Sequence, residues 1–287
     1  MDIQARIDPL IAERAEWLYR DSVFIRPIRA LLNALLGYEH TIELGREFDP
    51  LPWQEIMDRL ATRLAREVEA TGLDNVPAHG AAMLVANHPT GIADGIMLYH
   101  LLAPRRPDLF FYANSDILRV LPQMAGMIAP VEWREEKRSL AKTRETMAYT
   151  RAAMAAGRLG IMFPSGRLAK RRGLRLFERP WMPSAAMIAR KFDVPVIPVN
   201  LRARNSALFY LFDLIHASLR DITLFHETMN KARQPYRIVF GPAISPRSLP
   251  AQSQDGIAQL RRATLALAGK EGSTVSLVRA AKRAGWV

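Results

Sequence analysis

The hydrophobic pattern is clearest at one short stretch. Ala82 to Ala86 is an unbroken apolar run, which predicts a buried strand stopping at Asn87-His88. Pro89 and Gly91 then force a tight turn, and Ile92 to Leu102 reads as a helix. The alternation continues with strand 109–113, helix 116–121, strand 127–131, helix 137–156 and strand 159–163. A helix near 182–192 precedes strand 194–199, where Pro195 and Pro198 predict an edge or loop-flanked strand. After Asn200 the pattern predicts helix 206–217, a strand at 236–240, and helices 255–268 and 273–284. Strands alternating with helices imply an α/β fold with a mixed, partly parallel sheet flanked by helices.

The first 71 residues carry a different pattern. Trp17, Leu18, Val23, Phe24, Ile25, Ile28, Leu31, Leu32, Leu35 and Leu36 recur near helical spacing, with Arg14, Arg20, Arg26 and Arg29 among them. Pro27 is expected to separate two helices. A basic, aromatic-bearing amphipathic helix suits a membrane-associating segment, and the same pattern suits a helical pair packed on the core. Trp53, Ile56, Met57, Leu60, Leu64 and Val68 form one apolar stripe of a helix over 53–71, begun by Pro52 and capped by Gly72. The expected organisation is N-terminal amphipathic helices (1–71), an α/β core (72–245) and C-terminal helices after Ser245-Pro246 (246–287).

Composition narrows the function classes. A hydrophobic fraction of 49% with 24% charged residues belongs to a globular chain. The absence of cysteine excludes disulfides, thiol catalysis and thiolate metal sites, and the six histidines show no metal-ligand spacing. No metal or resident cofactor is expected. The net charge of +12 favours an anionic partner: nucleic acid, an anionic membrane surface or an acidic carrier protein. The aromatics do not interleave with the basic clusters as stacking platforms would, which argues against nucleic acid. No apolar span of about 18 residues predicts a transmembrane helix, and the N-terminus lacks a secretory pattern. The expected location is peripheral, on the cytoplasmic face of the cell membrane.

Two stretches carry candidate chemistry. His88 and Asp94 follow the predicted strand 82–86, and open α/β sheets bind ligands at the carboxyl ends of strands. An imidazole there can take a proton from a hydroxyl at neutral pH, and a carboxylate on its other nitrogen would fix the tautomer. Asp94 also suits a helix start, where it complements the dipole. Phe163-Pro164-Ser165-Gly166-Arg167 repeats the design after strand 159–163, and its turn can present N–H groups to an oxyanion or phosphate. Lys170, Arg171, Arg172 and Arg175 follow, as a solvated face or as a grip on an anion. Ser165 offers a second reading as a hydrolase nucleophile, but it lacks the Gly-x-Ser-x-Gly elbow.

These stretches, in this order, resemble the glycerolipid acyltransferase family, in its hemolysin-like and ornithine-lipid branch. The family's Asn-His-x4-Asp block matches Asn87-His88 and Asp94. Its Gly-rich block matches Gly126-Met127-Ile128 leading to Arg134, its Phe-Pro-Glu-Gly block Phe163-Pro164-Ser165-Gly166, and its Val-Pro-hydrophobic-x-Pro block Val194–Pro198. The resemblance covers roughly 73–200 and continues through Asn205–Phe209. It implies an O-acyltransferase moving a fatty acyl group from acyl carrier protein or acyl-CoA to a lysolipid hydroxyl, the acceptor being lysophosphatidate or a lyso-ornithine-type aminolipid. His88 is then the general base and Asp94 its partner. Asn87, Thr90, Gly91, Arg134, Phe163, Pro164, Ser165, Gly166 and Arg167 would hold the acceptor or the oxyanion. Lys170, Arg171, Arg172, Arg175 and Arg202 would steer the acidic donor. Two departures stand out. Five residues separate His88 from Asp94 where the family has four, a difference of about 100° on a helix that the Pro89–Gly91 turn has to absorb. Ser165 stands where the family has Glu.

Overall fold

In a computed structural model describing residues 2–132 and 139–278, the chain forms two sheets. The strands in chain order are β1 (Val68–Thr71), β2 (Ala82–Ala86), β3 (Phe110–Asn114), β4 (Ile128–Val131), β5 (Leu159–Met162), β6 (Lys170–Arg172), β7 (Arg175–Phe177), β8 (Val196–Arg202), β9 (Tyr236–Phe240) and β10 (Thr274–Ser276). The larger sheet has seven strands in the order β1-β9-β8-β2-β5-β3-β4, and the smaller has three in the order β10-β7-β6. Strands β8, β2, β5, β3 and β4 run parallel, and β9 joins β8 antiparallel, taking β1 with it.

The helices are α1 (Ile3–Arg14), α2 (Ile25–Leu36), α3 (Tyr38–Phe48), α4 (Trp53–Leu64), α5 (Ile92–Leu102), α6 (Asp116–Val120), α7 (Leu140–Ala155), α8 (Ser184–Lys191), α9 (Ala207–Ile215), α10 (Ala217–Ile222), α11 (Leu224–Met229) and α12 (Ser253–Ala266). They cover both faces of the larger sheet, so its central strands are apolar throughout rather than alternating. In β2 the two faces separate cleanly. Ala82, Leu84 and Ala86 join the core that includes Ile56, Met97 and Leu98, from α4 and α5. Met83 and Val85 join the core that includes Met154, Ala186 and Leu260, from α7, α8 and α12.

Strand β2 and helix α5 fall where the apolar run and the Pro/Gly turn place them. Four expectations need correction. The helix expected over 53–71 ends at Leu64, and Val68–Thr71 crosses to pair with β9, with Gly72 left-handed (φ 74°) just beyond the strand. The stripe misled because alternate residues of a short edge strand also place Val68 inward. Pro27 lies in the first turn of α2 instead of separating two helices, a position where its missing N–H leaves no bond unmade. The helix expected over 273–284 is replaced, as far as it is described, by β10 pairing with β7. Strand β8 is central, not an edge. Pro198 fits because the β8–β9 ladder begins only at Val199↔Phe240, and beside it the Pro198 carbonyl accepts from Gly241 N at 2.8 Å.

Candidate active site

The topology sets β2 beside β5 in parallel, with Val85 opposite Met162. The residues leaving the carboxyl ends of these strands therefore emerge side by side: Asn87–Gly91 after β2 and Phe163–Arg167 after β5. The His88 ring stacks on Phe163 with centroids 4.2 Å apart and planes 25° from parallel.

Asp94, fully buried in the first turn of α5, lies behind His88. Its Oδ2 is 2.9 Å from His88 Nδ1, out of line with the ring N–H, so the two groups touch without a linear hydrogen bond. Misalignment of this kind is common before substrate tightens a site. The carboxylate is otherwise saturated: Oδ2 accepts from Thr90 N at 2.9 Å and Gly91 N at 3.1 Å, and Oδ1 from Thr90 Oγ1 at 2.6 Å. Thr90 Oγ1 also meets the Tyr236 hydroxyl at the start of β9. Burial pushes the Tyr236 phenol well above its ordinary range, and the charge of Asp94 adds to this. Asp94 thus stands both at the helix start and beside His88 in one geometry.

The extra residue between His88 and Asp94 is absorbed at Gly91, which adopts φ 103°, ψ −136°. A side chain is strained there, and an added Cβ would meet Leu168 Cδ2 at 3.1 Å. Gly91→Ala is expected to destabilise the fold by about 1–3 kcal/mol. By displacing His88 from Asp94 it should also slow turnover by about 100-fold. Thermal unfolding and initial rates check this, and unchanged values for both would show that the turn tolerates other conformations.

Several expected site residues do other work. The Asn87 amide is engaged by Leu201 of β8, donating from Nδ2 to the carbonyl at 2.8 Å and accepting the N–H at Oδ1 at 2.7 Å. It splices the end of β2 to β8. The Thr90 and Gly91 N–H groups, expected to face an oxyanion, point instead at Asp94. Ser165 is buried and donates to the Arg167 carbonyl at 2.8 Å, and the Gly166 N–H turns back to the Phe163 carbonyl at 2.9 Å. Arg134 lies outside the described residues.

The basic run is a hairpin. Strands β6 and β7 pair antiparallel around Gly173 and project Lys170 and Arg172 outward. Arg171 Nε lies 3.4 Å from Asp213 Oδ2 of α9. Arg175 donates to Thr274 Oγ1 at 3.5 Å, while Arg202 donates to the Gly272 and Thr274 carbonyls at 2.7 and 3.2 Å. Arg175 and Arg202 thus both tether β10. Arg179 is held below its ordinary value by burial first, then by the nearby charges of Arg167 and Arg220. Asp213 and Glu178 lie among these arginines and offset part of their charge.

Glu178, just past β7, escaped the reading of the sequence, since a lone acid after a basic run carries no pattern. Its Oε2 accepts the His88 backbone N–H at 3.2 Å and its Oε1 the Trp181 Nε1–H at 2.8 Å. Burial pushes its carboxyl above the usual range, partly offset by Trp181, His88 and Ser165.

Residues 67–202 match the family model described as Acyltransferase. Two curated relatives are lyso-glycine lipid O-acyltransferases. The one from Phocaeicola vulgatus is 28% identical over 147 residues, 51% of this chain and 51% of the relative. The one from Bacteroides thetaiotaomicron is 26% identical over 187 residues, 63% of this chain and 67% of the relative. The chain thus matches about half the length of the first and two thirds of the second. Among solved structures, the 1-acyl-sn-glycerophosphate acyltransferase PlsC from Thermotoga maritima shares the fold, with a TM-score of 0.51 over 84% of this chain and 96% of that one at 14% identity. Residues 67–202 thus form an acyltransferase domain, similar to that of lipid O-acyltransferases.

Proposed function

We propose that this protein transfers a fatty acyl group from a thioester donor to the hydroxyl of a lysolipid, with His88 as general base. The observation that carries this reading is the His88–Asp94 contact at the carboxyl end of a central strand. Nδ1 faces Asp94, so Nε2 is left for substrate. The acceptor hydroxyl gives its proton to Nε2 while its oxygen attacks the thioester carbonyl. The C–S bond then breaks, and the departing thiolate takes the proton back from the imidazolium. Asp94 stabilises that imidazolium, held still by Thr90 and Gly91. Nothing in this sequence needs an acyl-enzyme or a resident cofactor. With the Thr90 and Gly91 N–H groups committed to Asp94, the oxyanion falls to the Phe163–Arg167 side, where Arg167 supplies positive charge.

The donor is acyl carrier protein or acyl-CoA. Both are acidic, and the exposed Lys170 and Arg172 of the hairpin suit either. The acceptor is a lyso-aminolipid of the glycine or ornithine type rather than lysophosphatidate. The two lyso-glycine lipid O-acyltransferase relatives support this, as does Ser165 in the block that resembles a phosphate-binding one.

The enzyme works at a membrane surface. Leu32 of α2 packs with Phe212 of α9, while Phe24 just before α2 (82%), Leu31 (68%) and Leu214 (64%) are exposed among further apolar side chains. Exposed apolar side chains of this kind, with Arg20, Arg26 and Arg29 close by in the chain, suit an anionic lipid interface. Among the described residues no helix is long and apolar enough to cross a membrane.

The test is acyl transfer from both donors to lyso-glycine lipid, lyso-ornithine lipid and lysophosphatidate presented in vesicles. Transfer to an aminolipid acceptor at a kcat/KM at least about tenfold that for lysophosphatidate, a difference of about 1.4 kcal/mol in transition-state binding, is expected. A preference for lysophosphatidate would overturn the acceptor assignment. Release of free fatty acid without transfer would favour the hydrolase reading.

A further inference from the structure

The hairpin β6–β7 both leaves and returns to the main chain of one residue. At its outgoing end, Ala169 N donates to the His88 carbonyl at 2.8 Å. At its returning end, Glu178 Oε2 accepts the His88 N–H at 3.2 Å. We infer that Glu178 is a positioning residue for the transfer reaction: its carboxylate clamps the His88 backbone to the basic hairpin and so seats the imidazole. This deepens the general-base reading of His88 and rests on it.

The donor chemistry around Glu178 is one-sided. Trp181 Nε1 and the His88 backbone nitrogen can only donate, and each takes one oxygen of the carboxylate. A group that accepts at both ends is required, and only an ionised carboxylate of this length provides it. A second set of bonds fixes the clamp from behind. Arg261 of α12 donates to the Glu178 and Arg179 carbonyls at 3.0 and 3.3 Å, and Arg179 Nε donates to the Leu168 carbonyl at 2.8 Å. The main chain bearing Glu178 is therefore tied both to a core helix and to the loop between β5 and β6. Through Glu178, an anion gripped by Lys170 and Arg172 bears on the residue that moves the proton.

Glu178→Gln isolates the effect. The amide keeps the shape but turns an NH2 group toward one of two obligate donors, so one clamp bond is lost whichever way it is oriented. The full chain is assayed at saturating donor and acceptor across pH, with thermal unfolding in parallel and Glu178→Leu as a second variant. The charged and titratable groups facing Glu178 are His88, Arg179 and Arg261. The expected result is a kcat lower by about tenfold or more with KM for both substrates changed less than about threefold. The acid limb of the kcat profile should also become shallower, because one titrating group has been removed. If the Leu variant fails to fold, the Gln variant alone carries the test. A kcat within about twofold of wild type in Glu178→Gln, or an unaltered acid limb, overturns the clamp while leaving the general base intact. Transfer that survives His88→Ala, run beside it, overturns the general-base reading and the clamp together.

Discussion

His88→Ala should cut acyl transfer by about 10³-fold at saturating substrate, with little change in thermal midpoint. General base catalysis supplies typically about 10²–10⁴-fold, and the acceptor hydroxyl has no other proton acceptor at Nε2's position in the proposed geometry. The stability side follows from packing. The imidazole is partly exposed, makes no in-line hydrogen bond through Nδ1, and its chief contact is the stack on Phe163. Truncation therefore removes little that folding needs. Retention of more than about a tenth of wild-type kcat would show that the imidazole is not the base. Ser165→Ala run alongside should keep most of the activity, since that hydroxyl is turned to the Arg167 carbonyl.

Asp94→Asn should behave differently, and the contrast separates chemistry from folding. The carboxylate receives three donors from Thr90 and Gly91 besides facing His88. An amide that keeps its oxygen on the Thr90 and Gly91 N–H groups turns its NH2 to Thr90 Oγ1, which reverses that hydroxyl and its contact with Tyr236 and replaces charge-assisted bonds by neutral ones, at a cost of about 1–3 kcal/mol in a buried setting. So Asp94→Asn should lower both the rate and the thermal midpoint, whereas His88→Ala lowers the rate alone.

The part of the site legible in the sequence is the part that depends on neighbours in the chain. Strand β2, the Pro89–Gly91 turn and the start of α5 are local features, and the apolar run, the glycine and the carboxylate specify them together. The five-residue spacing looked like a departure; one glycine at φ 103° accommodates it. What escaped is what long-range contact creates. Thr90 meets Tyr236 across 146 positions, and Glu178 meets His88 across 90. Neither pairing leaves a periodic trace. In the sequence the hairpin is visible only as a run of charge, because three-residue strands at an exposed edge bury too little to show alternation. Asn87, named for the substrate, bonds to β8 instead: the residue type was visible, and its partner 114 positions away was not.

The same limit hid a second buried element, whose removal should be the most damaging change to stability. Lys231 and Glu227 are both fully buried, with Nζ 3.2 Å from Glu227 Oε2. Nζ also donates to Asn205 Oδ1 at 2.7 Å and lies 3.3 Å from the Arg204 carbonyl and 3.2 Å from Gln234 Oε1. Glu227 in turn receives the Ser206 N–H and hydroxyl, fixing the start of α9. Burial pulls the Lys231 ammonium below its ordinary value despite the adjacent carboxylate, so the ion pair does not fully offset desolvation. Lys231→Met nonetheless leaves Glu227 charged, buried and short of its counter-ion, a change that destabilises by about 3–5 kcal/mol. For a chain of this size the thermal midpoint should fall by on the order of 10 °C. Adding Glu227→Gln should recover much of that loss, because removing both charges costs far less than removing one. The network also reaches the site: Asn205 Nδ2 donates to the Thr90 carbonyl at 3.4 Å. Lys231→Met should therefore slow transfer at temperatures where the chain is still folded, while the double variant, though restabilised, keeps Asn205 without its lysine and stays slow. A Lys231→Met chain within about 1 kcal/mol of wild type would mean that water reaches Glu227 and that the pair is not the keystone of this corner.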